Sequence, residues 1–538
     1  MIHFQFHINT MNYELLQFCS NRGILVDKQV LQVLEVSGNL DLSKRLLDKI
    51  VLQFNQKIIT KGFFSDNKHQ LYDLLSYHSG KDKELIKNIF TNLGLTFNQE
   101  ITDFNKKNKF NNILEDNLGV NLLRIYQNTP KKLEVKDFIN NFKYRFNFLK
   151  NILMERQNLD NLISINRISG RGNCSLIAIV YDKKVTKNGN ILLELEDLTG
   201  RVRAIINKDR KEIYEKSKEI ILDEVIGVKC SGNEEIVFVN DIFFPDAKII
   251  NKKYSNEEEY VAFTSDIHVG SNNFLEKEFL KFIDWINGNV GNEKQKSEAL
   301  KVKYLFITGD SVDGVGVYPG QEFQLILKDV EEQYNYLKKL LGMIRSDVQI
   351  IHCAGQHDAV RIAEPQPIVG ESYGEVLKEL KNLHRVTNPS LIEIGKDVKF
   401  KILMYHGASM HGVINSIDSL RLGKGRDSPT NVVKYLLKKR HLAPTHSLVT
   451  YTPLDNEDAL LIKEIPDIIT TGDLHRPEIA NYNGILLISS SCWQAKTPFE
   501  EKVGNNPDPC KVPIFNLKTR EIKIFDFSGV EGSEKNAN

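Results

Sequence analysis

The spacing of hydrophobic positions changes character three times along the chain. From Met11 to about Ser79, NYELLQFCSNRGILVDKQVLQVLE and SKRLLDKIVLQF place apolar residues three and four apart, with Gly23 between two segments. That period predicts a helical N-terminal domain over residues 1–79. A packing or protein-docking module is the plain reading of such paired short helices, and a helix-turn-helix DNA reader is the alternative. Residues 80–134 lose the periodicity and fill with Asn and Lys, as in KKNKFNN and NTPKK, which reads as a linker. At Val135 a long amphipathic segment begins, and Phe138, Phe142, Phe146, Leu149 and Leu153 mark one face of a predicted helix.

Short alternating runs follow: ISINRIS, CSLIAIVYD, ILLELED, VRAII, VIGVKC and IVFVNDIFF, parted by turn signals that include Asn188-Gly189 and Thr199-Gly200. About five strands in such a span predict a small Greek-key barrel of the OB-fold type, which with the helix occupies residues 135–250. OB-folds hold single-stranded nucleic acid through exposed aromatics beside basic residues. Here Tyr181, Lys183, Lys184, Lys187, Arg201 and Arg203 are the available set, and DNA contact and subunit docking both stay open.

From Tyr260 onward, apolar strand-like runs end in clusters of Asp, His, Asn and Gly and then give way to helix. Residues just past the carboxyl ends of strands in an α/β sheet converge on one crevice. VAFTSDIHVGS offers Asp266 and His268, two apart and so on the same side of an extended segment. YLFITGDSVDG ends at Gly309-Asp310, QIIHCAGQHDAV at Gly355-Gln356-His357-Asp358, and FKILMYHGAS at His406-Gly407. DIITTGDLHRPE delivers Asp473 and His475, again two apart.

The ordered set resembles the calcineurin-like metallophosphoesterase superfamily, whose pattern runs Asp-x-His, Gly-Asp, Gly-Asn-His-Asp or Glu, His, and Gly-His-x-His. The resemblance covers roughly residues 260 to 526. It implies a phosphodiester-hydrolysing site in which two cations about 4 Å apart share a carboxylate. Mixed imidazole and carboxylate ligands suit Mn, with Fe or Zn as alternatives, better than Mg or Ca. By the resemblance, Asp266, His268 and His475 hold one metal, Asp310 bridges, and Gln356, His406 and Asp473 face the second. His357 stabilises the transition state or protonates the leaving oxygen, steered by Asp358. Two positions depart from the pattern: Gln356 stands for Asn, and Asp473 for the first His of Gly-His-x-His. His352 lies inside a strand-like run and reads as a core side chain, and His384, His411, His441 and His446 fall outside the motifs.

SDIHVGS, GDSVDGVGVYPGQ, GQHDAVRIAEPQP and SCWQAKTPFEEKVGNNPDPCKVPI closely resemble the small subunit of archaeal family D DNA polymerase, including its Tyr-Pro-Gly-Gln and Glu-Pro-Gln-Pro signatures. That resemblance implies a 3′-to-5′ exonuclease acting on a DNA 3′ end beside a separate large polymerising chain. Tyr318 to Gln321 and Pro365 to Pro367 would serve DNA handling, docking or plain rigidity. Related B-subunits of eukaryotic replicative polymerases have lost the metal residues, so a non-catalytic scaffold is the alternative. An independent phosphatase or cyclic-nucleotide phosphodiesterase fits poorly, since neither needs the N-terminal modules. The expected architecture is therefore a multidomain α+β protein: a helical N-terminal domain, an OB-fold-like barrel, and a phosphoesterase β-sandwich flanked by helices over residues 251–527.

Composition refines this without changing it. The 538 residues carry 71 Lys and Arg against 70 Asp and Glu, which excludes a uniformly basic coat for nucleic acid. Residues 101–150 hold ten basic and five acidic side chains, so the linker is either solvated or a weak phosphate-attracting tether. Six scattered cysteines form no Cys-x-x-Cys pair and point to a reducing cytoplasm. No secretory leader and no long apolar run is read, so a membrane role is not expected. A sliding-clamp contact is conceivable at Gln56 to Phe64, but Gly62 falls where an aromatic belongs. The polar tail over residues 528–538 is expected to be disordered.

Overall fold

The structure is a computed structural model. It describes residues 10–66 except 37, 38 and 55; residues 86, 89, 90 and 93; and residues 119–536 except 127–131, 156, 157, 171, 371, 372, 424, 456 and 530–533. The chain divides into two compact units, Met1–Ile113 and Leu114–Asn538. Most of the predicted linker and the end of the predicted helical domain lie outside the described residues.

In the first unit, helices Thr10–Arg22, Lys28–Val36, Leu40–Phe54 and Lys61–Asp66 enclose an apolar core, and strands β1 (Leu25–Val26) and β2 (Ile58–Ile59) pair in parallel. Ile86, Ile89, Phe90 and Leu93 are buried in that same core, so the helical unit extends past Ser79 into the expected linker. Gln56 to Ile59 run into β2 rather than a free clamp-binding segment.

The second unit opens with a further departure from the linker expectation. Val120–Arg124 forms strand β3, which adds antiparallel to the edge of a sheet of the C-terminal α/β domain. Its single apolar stretch, VNLLR, is too short to show a period among the surrounding Asn and Lys.

The barrel is closed by β4 (Asn173–Val185), β5 (Ile191–Asp197), β6 (Gly200–Ile206), β7 (Val225–Gly232) and β8 (Ile236–Phe243), in the order β4-β5-β6-β8-β7, with β6 and β8 parallel and all other pairs antiparallel. Helix Lys211–Lys218 sits between β6 and β7 in the chain, which completes the five-stranded Greek-key arrangement of an OB-fold. ISINRIS makes a 3₁₀ turn, Ile165–Arg167, instead of a strand, because Asp197 accepts the Ile165 N–H and diverts the backbone. Lys183, expected among the exposed basic set, bends inward and donates to the Ser217 and Ile220 carbonyls. Arg201 stacks on Tyr181, which remains exposed.

Helix Val135–Met154 carries two docking stripes. Phe146, Leu149 and Leu153 pack against Ile177, Val225 and Phe243 of the barrel region. A polar stripe at Asp137, Asn141 and Arg145 is also buried, and Arg145 donates at 2.8 Å to both Asp458 and the Pro444 carbonyl. The apolar periodicity hid this second stripe, since a buried arginine pattern looks like a solvated face.

The C-terminal α/β domain has four layers. One sheet runs β12 (Leu383–Val386), β11 (Gln349–Cys353), β10 (Val302–Thr308), β9 (Tyr260–Thr264), β18 (Lys511–Asn516), β19 (Ile522–Asp526) and β20 (Glu534–Asn536), the first four parallel. The other runs β16 (Glu478–Tyr482), β17 (Ile485–Ser489), β15 (Ile468–Thr471), β14 (Phe400–Met404), β13 (Ser390–Ile394) and β3. Alternation along β9 shows the layering: Val261 and Phe263 face the core between the sheets, whereas Tyr260 and Ala262 face helices Glu276–Ile286 and Val330–Leu341. Helix Pro429–Lys439 covers the outer face of the second sheet. Strand β20 lies in the tail expected to be disordered; edge pairing uses backbone N–H and C=O groups and needs no apolar side chains.

Removing one partner of a buried pair leaves the other uncompensated, at a cost of about 3–5 kcal/mol. Arg145→Ala should therefore destabilise the second unit by about that amount, and adding Asp458→Ala should cost much less than a second full loss. Urea unfolding followed by the fluorescence of Trp285 and Trp493, the chain's only two tryptophans, both in this unit, measures it; strict additivity would contradict the pairing.

Candidate metal centre

The motifs sit where the parallel strands end. Asp266 and His268 follow β9, Asp310 follows β10, Gln356 and His357 follow β11, His406 follows β14, and Asp473 and His475 follow β15. Twelve non-glycine residues have left-handed φ among those described, and five are Asp266, His268, Asp310, Asp473 and His475. That conformation is uncommon and costly outside glycine, and it turns each side chain off the strand axis toward the crevice. The strand-end loops hold one another: Asp266 N–H donates to Gly309 O at 3.0 Å and His268 N–H to Asp310 O at 3.1 Å. Glycine is required twice. A Cβ on Gly309 would lie 2.2 Å from His406 Nδ1, and one on Gly355 would lie 2.2 Å from Asp310 Oδ1.

Each imidazole is oriented by a partner that can only accept. His268 Nδ1 lies 3.0 Å from Asp313 Oδ1, His475 Nδ1 lies 2.8 Å from Glu500 Oε1, and His406 Nδ1 lies 2.8 Å from the Thr308 carbonyl. With Nδ1 protonated, the Nε2 lone pairs are left to face the cluster. His268 Nε2 and His475 Nε2 stand 3.3 Å apart, His475 Nε2 is 3.2 Å from Asp266 Oδ1, and His406 Nε2 is 3.2 Å from Asp310 Oδ2. Side-chain acceptors that converge in this way fit a cation. His406 Nε2, Gln356 Oε1 and Asp473 Oδ2 are moreover buried without a hydrogen-bond partner.

Among the described residues three groups could hold a cation: His268–Asp313–His357, and the pair Asp266–His268–His475 and Asp266–Asp310–His406. Asp266 is common to both, where the resemblance gives the bridging place to Asp310, one of whose oxygens already accepts the His357 N–H at 2.8 Å. Burial alone would raise these carboxylates, but the histidines outweigh it: His475 and His406 lower Asp266, and His406, His357 and His268 lower Asp310. Conversely, burial opposes protonation of His406 and His475, yet Asp310 and Asp266 push the first well above its ordinary value and Cys492 and Asp266 push the second. The cluster thus demands positive charge at its centre, which a divalent ion supplies.

Gln356 Nε2 donates to Asp473 Oδ1 at 3.2 Å, so both departures from the superfamily pattern meet on the second group. His357 lines the cleft with Nδ1 held at 2.8 Å by the Asp313 carbonyl. Asp358 corrects the expectation of a steering carboxylate. It is buried, accepts from Gly355 N–H, Ser311 N–H and Tyr334 O–H, and is raised by burial and by Asp310 to about 6. It braces the loop, and Asp313 is what orients His357.

Asp313 and Glu500 escaped the sequence reading. Asp313 lies within GDSVDG, unmarked by any spacing rule, whereas Thr497 and Glu500 form a capping box at helix Pro498–Val503 that the Thr-x-x-Glu spacing could have revealed. The two signatures resolve as braces. Gln321 is fully buried and donates to both the carbonyl and a carboxylate oxygen of Asp313. Gln366 donates to Gly355 O and accepts from Asn388, whose Oδ1 accepts the His406 N–H. His352 is a core residue bonded to Ser311; His384 bonds Gln349, His441 bonds Asp458, and His446 meets Tyr451 and Phe138 edge to face. His411, expected outside the site, lines the cleft.

The profile of the DNA polymerase alpha/epsilon B-subunit family matches residues 261–480. The chain is 38% identical over 396 residues to the DNA polymerase II small subunit of Methanothermobacter thermautotrophicus, covering 73% of this chain and 80% of that protein. It belongs to the DNA polymerase II small subunit family. The family's protein from Pyrococcus abyssi is 36% identical over 73% of this chain and 64% of its own length. Among solved structures, Vacuolar Protein Sorting 29 from Cryptosporidium parvum is 14% identical, with 52% of this chain and 97% of that one covered at a TM-score of 0.26.

In this chain, Asp313 is the partner that aims His268. Loss of such a partner weakens metal binding by about 10–100-fold. Asp313→Asn should show that loss in Mn titration calorimetry, and unchanged affinity would remove Asp313 from the site.

Proposed function

We propose that this small subunit hydrolyses DNA phosphodiesters from a 3′ end, releasing nucleotides beside a large polymerising subunit. The observation that carries the reading is the intact, converging set of His268, His406 and His475 lone pairs with Asp266 and Asp310. In this reading Asp266, His268 and His475 would hold one divalent ion, Gln356, His406 and Asp473 would face a second, and Asp310 would lie between the two. The ions, Mn in our reading with Fe or Zn as alternatives, would polarise the phosphate and lower the pKa of the attacking water. The cleft, about 360 Å³, lies at the small end of ligand pockets and suits a single nucleotide rather than a duplex. Tyr318 forms part of its wall, its ring centroid 6.3 Å from that of His357, and offers an apolar surface to a base.

His357 has the geometry of an acid–base group: its Nδ1–H is tied to the Asp313 carbonyl, so Nε2 is the nitrogen left to face the leaving oxygen, and it donates there when the ring carries both protons. The acid–base contribution of such a group is about 10²–10⁴-fold.

With excess Mn and a 3′-labelled single strand, the purified chain, alone or with its large partner, should release mononucleotides. His357→Ala should slow release by about 10²–10⁴-fold, and Asp310→Ala should abolish it. Equal cleavage by all three proteins would sink the site assignment, and no cleavage and no bound transition metal in the reconstituted pair would leave a scaffold.

A further inference from the structure

Asp473 replaces the imidazole of the superfamily pattern, and its two oxygens look in different directions. Oδ1 accepts from Gln356 Nε2 at 3.2 Å and lies 3.9 Å from His406 Nε2, on the side of the ligand cluster. Oδ2 is buried without a hydrogen-bond partner and lies 3.5 Å from Nε2 of His411. His411 belongs to helix Met410–Ser416, which begins just after His406-Gly407. The entry of that helix is fixed: Met410 N–H donates to Gly407 O at 2.8 Å, and Ser409 N–H donates to Tyr405 Oη at 3.1 Å. Met410, Val413 and Ile414 face the core, which leaves His411 toward the cleft with its side chain 39% exposed.

We propose that His411 is a positioning residue for the second cation subsite: its Nε2–H donates to Asp473 Oδ2 and holds Oδ1 toward His406 and Asp310, so that the Asp473–His411 pair replaces a single imidazole. The proposal rests on the two-cation reading above.

The two ligand types differ in what they need. An imidazole held at one nitrogen presents a single lone pair in one direction. A carboxylate presents two oxygens with about four lone-pair sites and turns about a broad terminal torsion. As a replacement ligand it requires a second contact to select one orientation. Gln356 does not provide it, because its amide N–H occupies the very oxygen that the cation needs. A half-turn of that amide points Oε1, buried and without a partner, at the cluster and frees Asp473 Oδ1. The contact left to fix the carboxylate is then the one on Oδ2. A separation of 3.5 Å exceeds a formed N–H···O bond by a few tenths of an ångström, and a partly exposed side chain can close that gap. Hydrogen bonds around catalytic groups commonly tighten once the site is loaded.

Mn binding to the full chain, followed by calorimetry and by electron paramagnetic resonance of free Mn, tests the pairing in four variants. Wild type is expected to bind two ions. His411→Ala should weaken the second by about 10–100-fold and leave the first unchanged. His411→Gln, whose amide N–H reaches the same oxygen, should restore most of the loss. Asp473→His should bind two ions, and adding His411→Ala to it should then change nothing. Equal second-ion affinity in wild type and His411→Ala overturns the proposal. So does a full His411→Ala loss that persists in the Asp473→His background, which would mark His411 as a direct ligand or as a structural residue. Failure of wild type to bind any ion sinks the two-cation reading and this proposal together, a result plainly different from selective loss of the second ion.

Discussion

The C-terminal α/β domain is organised around a crowd of lone pairs. Nε2 of His268 and of His475 stand 3.3 Å apart with an Asp266 carboxylate oxygen 3.2 Å from the second, and the Asp473 N–H reaches that carboxylate from the backbone. Such a group is repulsive unless positive charge enters it, and the fold spends effort to keep it assembled. Five ligand-type residues hold left-handed backbone at a cost of about 1–3 kcal/mol each. The cost is borne by what surrounds them: strand-end loops that hydrogen-bond to one another, two glycines with no room for a Cβ, and sheets buried on both faces. Strain retained at one spot by an otherwise consistent structure marks a site kept for its chemistry.

Behind the ligands stands a layer of acceptors that decides which nitrogen of each ring is free. Asp313, Glu500 and the Thr308 carbonyl perform this service for His268, His475 and His406. The two family signatures belong to the same layer. Gln321 pins Asp313, and the chain from Gly355 through Gln366 and Asn388 to His406 ties the loop that carries Gln356 to the strand end that carries His406. These residues bear no charge and touch no reacting atom, yet they set the direction of the lone pairs. Rigidity was one of the readings the sequence left open for both signatures, and the glutamines of both are buried.

What could be read in advance followed from period and order. Strands buried on both faces appear as continuous apolar runs, and the five polar clusters that end them were recognisable as one crevice. What could not be read depended on contacts between distant segments. Arg145 lies off the apolar stripe of its helix and is buried against Asp458, 313 positions away. VNLLR looked like linker and is an edge strand, because its partner β13 lies far along the chain. Asp358 sits next to His357 in sequence but points to the backbone of its own loop, while Asp313, far from His357 in sequence, does the orienting. Adjacency in sequence misled at His357 and Asp358, and only the fold separated the loop brace from the residue that lines the cleft.

Anomalous-difference density from crystals soaked in Mn tests the central claim most directly, that fixed tautomers and left-handed strand ends preform a cation centre. Two peaks are expected, one within coordination distance of Asp266, His268 and His475 and one beside Asp310, His406 and Asp473, with Nε2 as the coordinating atom of each ring. Density elsewhere, coordination through Nδ1, or no peak at saturating Mn would contradict it.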